Sequence, residues 1–307
     1  VGSKDVDILL QEFAIGKEYA VNTASCNGKH TITDVWADNV KVIDGNVVYD
    51  SLSVDDTEEA PEGLIDYALK VLDAVGFRNG LCHSEFMMTS KGPVLIEVNP
   101  RPMGANQNEK FQKAVFGVTY ADWMFAALLD PEEFRKMSGK EYRTLASAAM
   151  ESTYCFDDIE ADPSPLIDLT KGMRTFFELP LATGIRKLRK TIDLASCLAQ
   201  MKLVGPKDLM TKEFFMLKDI EENYPWLLFS TGPLDTENDN AEITAQKSEG
   251  GLKISVSDGA FLQNLYKVII DGIRSLPKDG RMVFDEHTVS ILPYGQDGLD
   301  RAMGILG

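Results

Sequence analysis

Residues 93–104 read "PVLIEVNPRPMG". An apolar run, Val94 to Ile96, leads into Glu97; Asn99 and Arg101 follow at every second position, and Gly104 closes the stretch. In an extended chain, residues i, i+2 and i+4 share one face. An acid, an amide and a guanidinium therefore converge at the end of one strand. The stretch just before it, "LCHSEFMMT" at 81–89, reads as a second strand, with "SKG" as a hairpin-like turn between them. Antiparallel pairing across that turn sets Glu85 beside Glu97, and His83 shares the face of Glu85. Two directly opposed carboxylates repel unless a cation sits between them. With Asn99 they make three hard oxygen ligands, a set suited to Mg²⁺ or Mn²⁺ rather than zinc. Arg101 adds a charge for a phosphate or carboxylate next to the metal. The competing reading is a solvated charged face or a fortuitous ion pair. The flanks "PVLIEV" and "EFMM" are apolar on both faces, as expected of a buried central strand, where unsatisfied acids are costly.

Working outward, residues 7–50 read as sheet. The runs "ILLQEF", "EYAVNTASC", "HTITDVWADNVKVI" and "NVVYDSL" are broken by the turn signals "NGK" and "DGN". Residues 57–76 predict a helix, with Leu64, Ala68, Val71, Leu72 and Val75 at helical spacing after the acidic, Pro-containing "TEEAPEG". A second helical stretch covers 105–129, interrupted near Gly117. "LDPEEFRKMSGKEYR" reads as a charged connector and "TLASAAMESTYCF" as a strand. The polar "GPLDTENDNAEITAQKSEGG" reads as a loop, and "SDGAFLQNLYKVIIDGIRSL" as an amphipathic helix. The resulting class is α+β.

The chain has 307 residues and a net charge of −17, with a pI near 4.6. That balance argues against a nucleic-acid surface, which needs clustered Lys and Arg, but not against a small anion held by a few basic groups. No run approaches the ~18 apolar residues of a membrane span. Cys26, Cys82, Cys155 and Cys197 lie far apart with no CxxC, as in a reducing, cytoplasmic setting. No signal peptide is visible, and the chain opens at Val1 close to an apolar strand, which reads as a fragment or processed chain.

"HSEF…PVLIEVNPRPMG" resembles the C-terminal signature of the ATP-grasp superfamily, an acid on one strand and Glu-x-Asn-x-Arg on the next. "ILLQEFAIGKEYAVN" at 8–22 resembles that superfamily's adenine-hinge segment, and the two motifs stand in family order. The resemblance implies two magnesium ions against the ATP phosphates, held by Glu85, Glu97 and Asn99. It implies a catalytic Arg101 beside the transferred phosphoryl group, for which a structural salt bridge to Glu85 or Glu97 is the alternative. His83 stands where related ligases often have Arg, the alternative being a histidine hydrogen-bonded within the sheet. Gln11, Glu12, Phe13 and Ala14 would lie along the adenine edge, Gln11 replacing the usual Glu, and Glu18 would bind the ribose hydroxyls. Gly104 would let the backbone approach a bound carboxylate.

Within the superfamily the chain looks most like the carboxylate–amine ligases that make dipeptides and amides, such as dapdiamide synthetases and bacterial L-amino-acid ligases. "EYAVNTASCNGKHTITDVW" shares their look, and "TIDLASCLAQMKLVG" faintly resembles their C-terminal subdomain. The implied fold is the C-terminal lobe of an ATP-grasp fold at 1–140, a C-terminal subdomain at 141–205 and a further α+β region at 206–307. The implied chemistry joins a small-molecule carboxylate to an amine, amino acids or their like, through an acylphosphate, with ATP and Mg²⁺ or Mn²⁺. Nucleic-acid and membrane partners are not expected, and homo-oligomerisation is left open. The phosphate-binding lysines and glycine-rich flap of the other lobe are not found, so the isolated chain is expected to be inactive. Rival readings are a biotin-carboxylase-like or purine-pathway ligase, or a non-catalytic nucleotide-binding module.

Overall fold

Turn chemistry and alternation organise the first strands. In the computed structural model, β1 (Lys17–Cys26) and β2 (Lys29–Ile43) are joined by Asn27-Gly28 at φ 54° and 78°. β2 and β3 (Asn46–Val54) are joined by Asp44-Gly45 at φ 49° and 80°. Two successive residues at positive φ give the tight hairpin turn whose twist matches that of the strands, which is why Asn-Gly and Asp-Gly occupy them. The structure describes residues 10–54, 60–104, 107–139, 144–223, 225, 228–230, 243–248, 251–256, 281–285 and 288–292.

The chain continues through α1 (Leu64–Ala74), β4 (Gly80–Thr89), β5 (Gly92–Asn99), α2 (Glu109–Phe116), α3 (Tyr120–Leu129) and α4 (Pro131–Ser138). It goes on with β6 (Ala148–Thr153), β7 (Ile159–Ala161), α5 (Ser164–Gly172), β8 (Phe176–Glu178), β9 (Arg186–Leu188), β10 (Ala199–Val204) and α6 (Lys207–Asn223). Further strands are β11 (Ile243–Ser248), β12 (Gly251–Val256), β13 (Arg281–Asp285) and β14 (Thr288–Leu292). The fold is α+β, antiparallel sheet with packed helices.

Two compact units divide these elements. The first comprises Val1–Asn39, Glu58–Asn106 and Val118–Arg143. Its strands run in the order β5-β4-β1-β2. One sheet face is apolar: Val21, Val35 and Phe86 pack with Leu64 and Ala68 of α1, and Leu95 joins from β5. Leu64 and Leu72 are buried, each contributing ~2 kcal/mol of hydrophobic burial. The other face is divided. At one end Ala24, Cys26 and Leu81 pack under Trp123, Ala126, Ala127 and Phe134 of α3 and α4. At the other end it is polar.

Two register shifts create that polar end. Asn22 pairs with Asp34 but Thr23 with Ile32, so Thr33 is an extra residue in β2. Glu85 pairs with Glu97 but Phe86 with Leu95, so Ile96 is an extra residue in β5. Directly paired residues share a face, and one extra residue reverses the alternation beyond it. The Ile96 bulge lets Leu95 point into the apolar core while Glu97, two residues on, points to the opposite side.

The second unit comprises Val40–Thr57, Gln107–Gly117 and Thr144–Gly307. It contains β3-β6-β10-β8 in that order, the β7–β9 pair and, in backbone, a sheet ordered β11-β12-β14-β13. Its interior holds charge. The Lys218 Nζ donates to Glu221 Oε2 at 2.8 Å and to the Ser152 carbonyl, and lies 3.8 Å from the Tyr154 ring centroid. Tyr154 OH donates to Asp50 at 2.6 Å. Glu151 Oε2 is buried without a hydrogen-bond partner among the described residues. Burial holds the Glu151 carboxyl well above its ordinary 4.5; the Lys218 ammonium opposes this, while Asp50, Glu221 and Glu213 add to it. The folded state therefore grips a proton that the unfolded chain releases near pH 4.5. This contribution is full below that pH and falls as pH rises toward the raised value, at about 1.4 kcal/mol per pH unit. Glu151→Gln removes the slope: its urea midpoint should gain on the parent's progressively above pH 4.5. Parallel midpoints across pH would count against it.

Several elements differ from the sequence expectation. Leu10 to Phe13, the described part of the "ILLQEF" run, form no strand and stand exposed. The connector at 129–143 contains α4, because Asp130 caps it by accepting from the Glu133 N–H at 2.9 Å, Pro131 fits its first turn and Phe134 anchors it. The expected loop at 232–251 contains β11: "ITAQKS" alternates and pairs antiparallel with β12. The helix expected at 257–276 lies outside the described residues.

Candidate active site

Glu18, Ala20 and Asn22 point to one face of β1, and their partners define the site. Glu18 pairs with Asp38, Ala20 with Trp36 and Asn22 with Asp34 across β2. On the other side Glu18 pairs with Met87, Ala20 with Glu85 and Asn22 with His83. Beyond β4, Glu85 pairs with Glu97 and His83 with Asn99. Four carboxylates, Glu18, Asp38, Glu85 and Glu97, thus share one end of a sheet face.

Burial and neighbouring charge act together on two of them, Glu18 and Asp38. Burial, then the charges of Glu85 and Glu97, raise Glu18 above its ordinary 4.5. Burial, then Glu18 and Glu85, raise Asp38 to about 7, and its Oδ1 is a buried oxygen without a hydrogen-bond donor among the described residues. A cation at this end would relieve both. Among the described residues, no three His, Cys, Asp or Glu side chains form a metal-holding group. The arrangement is an open clamp rather than a closed cage. Mg²⁺ is characteristically held by one or two carboxylates and completes its shell with water and phosphate oxygens, so the residues present fit a nucleotide-bound divalent cation.

Each residue singled out from the sequence has a definite place. Asn99 Nδ2 donates to Glu97 Oε1 at 2.6 Å, turning its own oxygen away from that carboxylate. Arg101 is exposed, its Nη1 donating to the Pro102 carbonyl at 3.0 Å. Among the described residues it makes no ion pair with Glu85 or Glu97. His83 is 5% exposed, with Nδ1 2.8 Å from Asn22 Oδ1 and Nε2 3.0 Å from Glu85 Oε1. Gln11, Glu12 and Phe13 are exposed and Ala14 is partly covered. Leu10, Phe13 and Ile15 offer an apolar edge just before β1. Gly16 passes so close to the Met88 carbonyl that a Cβ would collide with it, tying this segment to β4. Gly104 is exposed and has open space where a Cβ would project.

Sequence reading misses Asp34 and Asp38. Their signal is the alternation Asp34-x-Trp36-x-Asp38 within "DVWAD", which by itself reads only as the end of an aromatic strand. Tyr120 escapes as well, because its hydroxyl reaches Asp34 from α3, 86 residues away.

Residues 2–109 match the family described as the ATP-grasp domain. The chain is similar to Dapdiamide A synthase of Enterobacter agglomerans, 32% identical over 134 residues, which is 43% of this chain and 31% of that enzyme. Among solved structures, the L-amino acid ligase of Bacillus licheniformis superposes with a TM-score of 0.54 at 15% identity, covering 67% of this chain and 51% of that one. A phosphoribosylglycinamide synthetase from Anaerococcus prevotii gives a TM-score of 0.49 at 14% identity, covering 68% of this chain and 53% of that one. The alignments span a third to about half of these relatives' lengths. Among the described residues, no helix is long and apolar enough to cross a membrane.

Proposed function

We propose that this chain carries the nucleotide- and metal-binding residues of an ATP-dependent carboxylate–amine ligase, joining amino acids or similar molecules through an acylphosphate. The observation that carries the reading is the direct pairing of Glu85 with Glu97, with Glu18 and Asp38 crowding the same face. The similarity to Dapdiamide A synthase supports the choice of acid and amine as substrates.

In this reading, Glu85, Glu97 and the Asn99 amide oxygen would hold Mg²⁺ or Mn²⁺. A bound divalent cation supplies charge neutralisation for the transferring phosphoryl group. Arg101 adds a second positive charge to that group. Glu18 accepts hydrogen bonds from the ribose, and the exposed edge from Gln11 to Ala14 meets the adenine. A substrate carboxylate oxygen attacks the γ-phosphorus as the bond to the ADP oxygen breaks. The amine then attacks the acyl carbon, phosphate leaves with its oxygen, and the amine nitrogen loses a proton. No step requires a protein nucleophile; orientation and charge placement carry the rate.

The test follows free Mn²⁺ by electron paramagnetic resonance while ADP is added to the chain. Capture of Mn²⁺ that depends on ADP is expected; no capture in either condition sinks the reading. Screening amino-acid pairs for ADP release by the protein that carries this chain then tests the substrate class, and release stimulated by bicarbonate alone would overturn the ligase assignment.

A further inference from the structure

Asp34 is fully buried on β2, and no cation partners it among the described residues. Burial raises its carboxyl above the ordinary 3.8, opposed by hydrogen bonds from Asn22, Thr33, Tyr120 and Trp36. Its Oδ1 accepts from Trp36 Nε1 at 2.7 Å, from Tyr120 OH at 2.9 Å and from Asn22 Nδ2. Its Oδ2 faces Thr33 Oγ1 at 2.8 Å. Burying a carboxyl is costly, and the apolar core on the other face of the sheet makes no use of it.

The directions of these bonds follow from the atoms. An oxygen that already accepts from the Trp36 N–H, a group that can only donate, presents an acceptor to Asn22 as well. Asn22 must therefore turn its NH₂ toward Asp34 and its oxygen toward His83. An amide oxygen only accepts, so the 2.8 Å contact with His83 requires a proton on Nδ1. With Nδ1 so engaged, the ring plane is set and Nε2 is delivered to Glu85 Oε1 at 3.0 Å. Protonating Asp34 on Oδ2 would leave every one of these directions unchanged.

We propose that Asp34 is a positioning residue: through Asn22 it holds the His83 ring with Nδ1 as a donor, and through that ring it sets the orientation of the Glu85 carboxylate. The inference rests on Glu85 being a metal ligand, as proposed above. Partners that orient metal ligands are commonly worth ~10–100-fold in metal affinity. The chain of bonds explains why a charged residue lies buried beneath the polar end of the sheet, and it gives His83 a role with both ring nitrogens occupied.

The test has two arms. The first needs no variant: long-range ¹H–¹⁵N correlation of the imidazoles should show His83 protonated at Nδ1, with that proton slow to exchange. An Nδ1 without a proton overturns the inference. The second compares Mn²⁺ capture with ADP in Asn22→Leu and Asp34→Asn. Asn22→Leu cuts the chain of bonds but leaves Asp34 its other three donors; it should lose the slow Nδ1 proton and weaken Mn²⁺ capture ~10-fold or more. Asp34→Asn can keep an acceptor facing Asn22 and should retain most of the affinity. Unchanged capture by folded Asn22→Leu, or an equal loss in both variants, overturns the inference alone. Absence of capture by the unaltered chain overturns the reading of the site, and the inference with it.

Discussion

Replacing Glu97 with glutamine is expected to abolish ADP-dependent Mn²⁺ capture while leaving the metal-free chain as stable as before, or more so. The two effects have opposite signs because they share one cause. Glu85 and Glu97 are directly opposed on neighbouring strands, and like charges so placed destabilise a sheet by ~0.2–1 kcal/mol. The neutral amide relieves that repulsion and removes one of the charges raising Glu18. It also takes one of two carboxylates from the clamp. Loss of a partner that merely orients a ligand costs ~10–100-fold, so loss of the ligand itself should exceed ~100-fold. Calorimetric melting without metal, paired with the Mn²⁺ titration, reads both signs. Undiminished capture by the variant would exclude Glu97 as a ligand. Lower affinity accompanied by an equivalent fall in metal-free stability would mark Glu97 as structural.

Lys218→Met should be the most damaging single change in the second unit. The Lys218 ammonium bonds Glu221, lies over the Tyr154 ring and stands 4.0 Å from Asp50. Glu221 is buried, its carboxyl raised by burial and lowered first by Lys218. Removing one partner of a buried pair typically costs ~3–5 kcal/mol, because the remaining charge is left in the interior. That is a large share of the ~5–15 kcal/mol by which a domain is stable. The loss should depend on acidity. At low pH Glu221 and Glu151 take up protons and need no counter-charge, so the deficit narrows as pH falls toward the ordinary carboxylate range and is widest near neutrality. Denaturant midpoints of parent and variant at several pH values measure it. A deficit independent of pH would mean that Lys218 contributes packing rather than charge.

The candidate site is legible in the sequence where local rules suffice. Alternation and a short turn are enough to pair Glu85 with Glu97 and to place His83 and Asn99 beside them. Asn-Gly and Asp-Gly announce the first two hairpins. What escapes depends on contacts distant in sequence or on one-residue irregularities. Asp34 reads as an ordinary polar strand residue, because its donors come from β1, from its own strand and from α3. Lys218 and Glu221, three residues apart, carry no local sign that Asp50 and Tyr154 lie against the lysine. Helix α4 is hidden by its charge, although Asp130, Pro131 and the following glutamates are a standard helix start. The bulges at Thr33 and Ile96 are invisible to a pattern of alternation, since each is a break in that pattern.

The extra residue at Ile96 makes β5 behave like two reading frames spliced together. Upstream of it the strand is in phase with the apolar core, and downstream in phase with the clamp, so the two selection pressures on one short strand are uncoupled. Substitutions at Leu95 can tune packing without touching the acids, and changes at Asn99 can tune the clamp without disturbing α1. Deleting position 96 would simply regularise the ladder, since Phe86 already faces Leu95 and Glu85 already faces Glu97. The lesion that merges the frames is a register slip that absorbs Ile96 into regular pairing: it would carry Glu97 and Asn99 to the face of Leu95 while leaving every acid in the sequence, so that a scan for motifs would still read the site as intact.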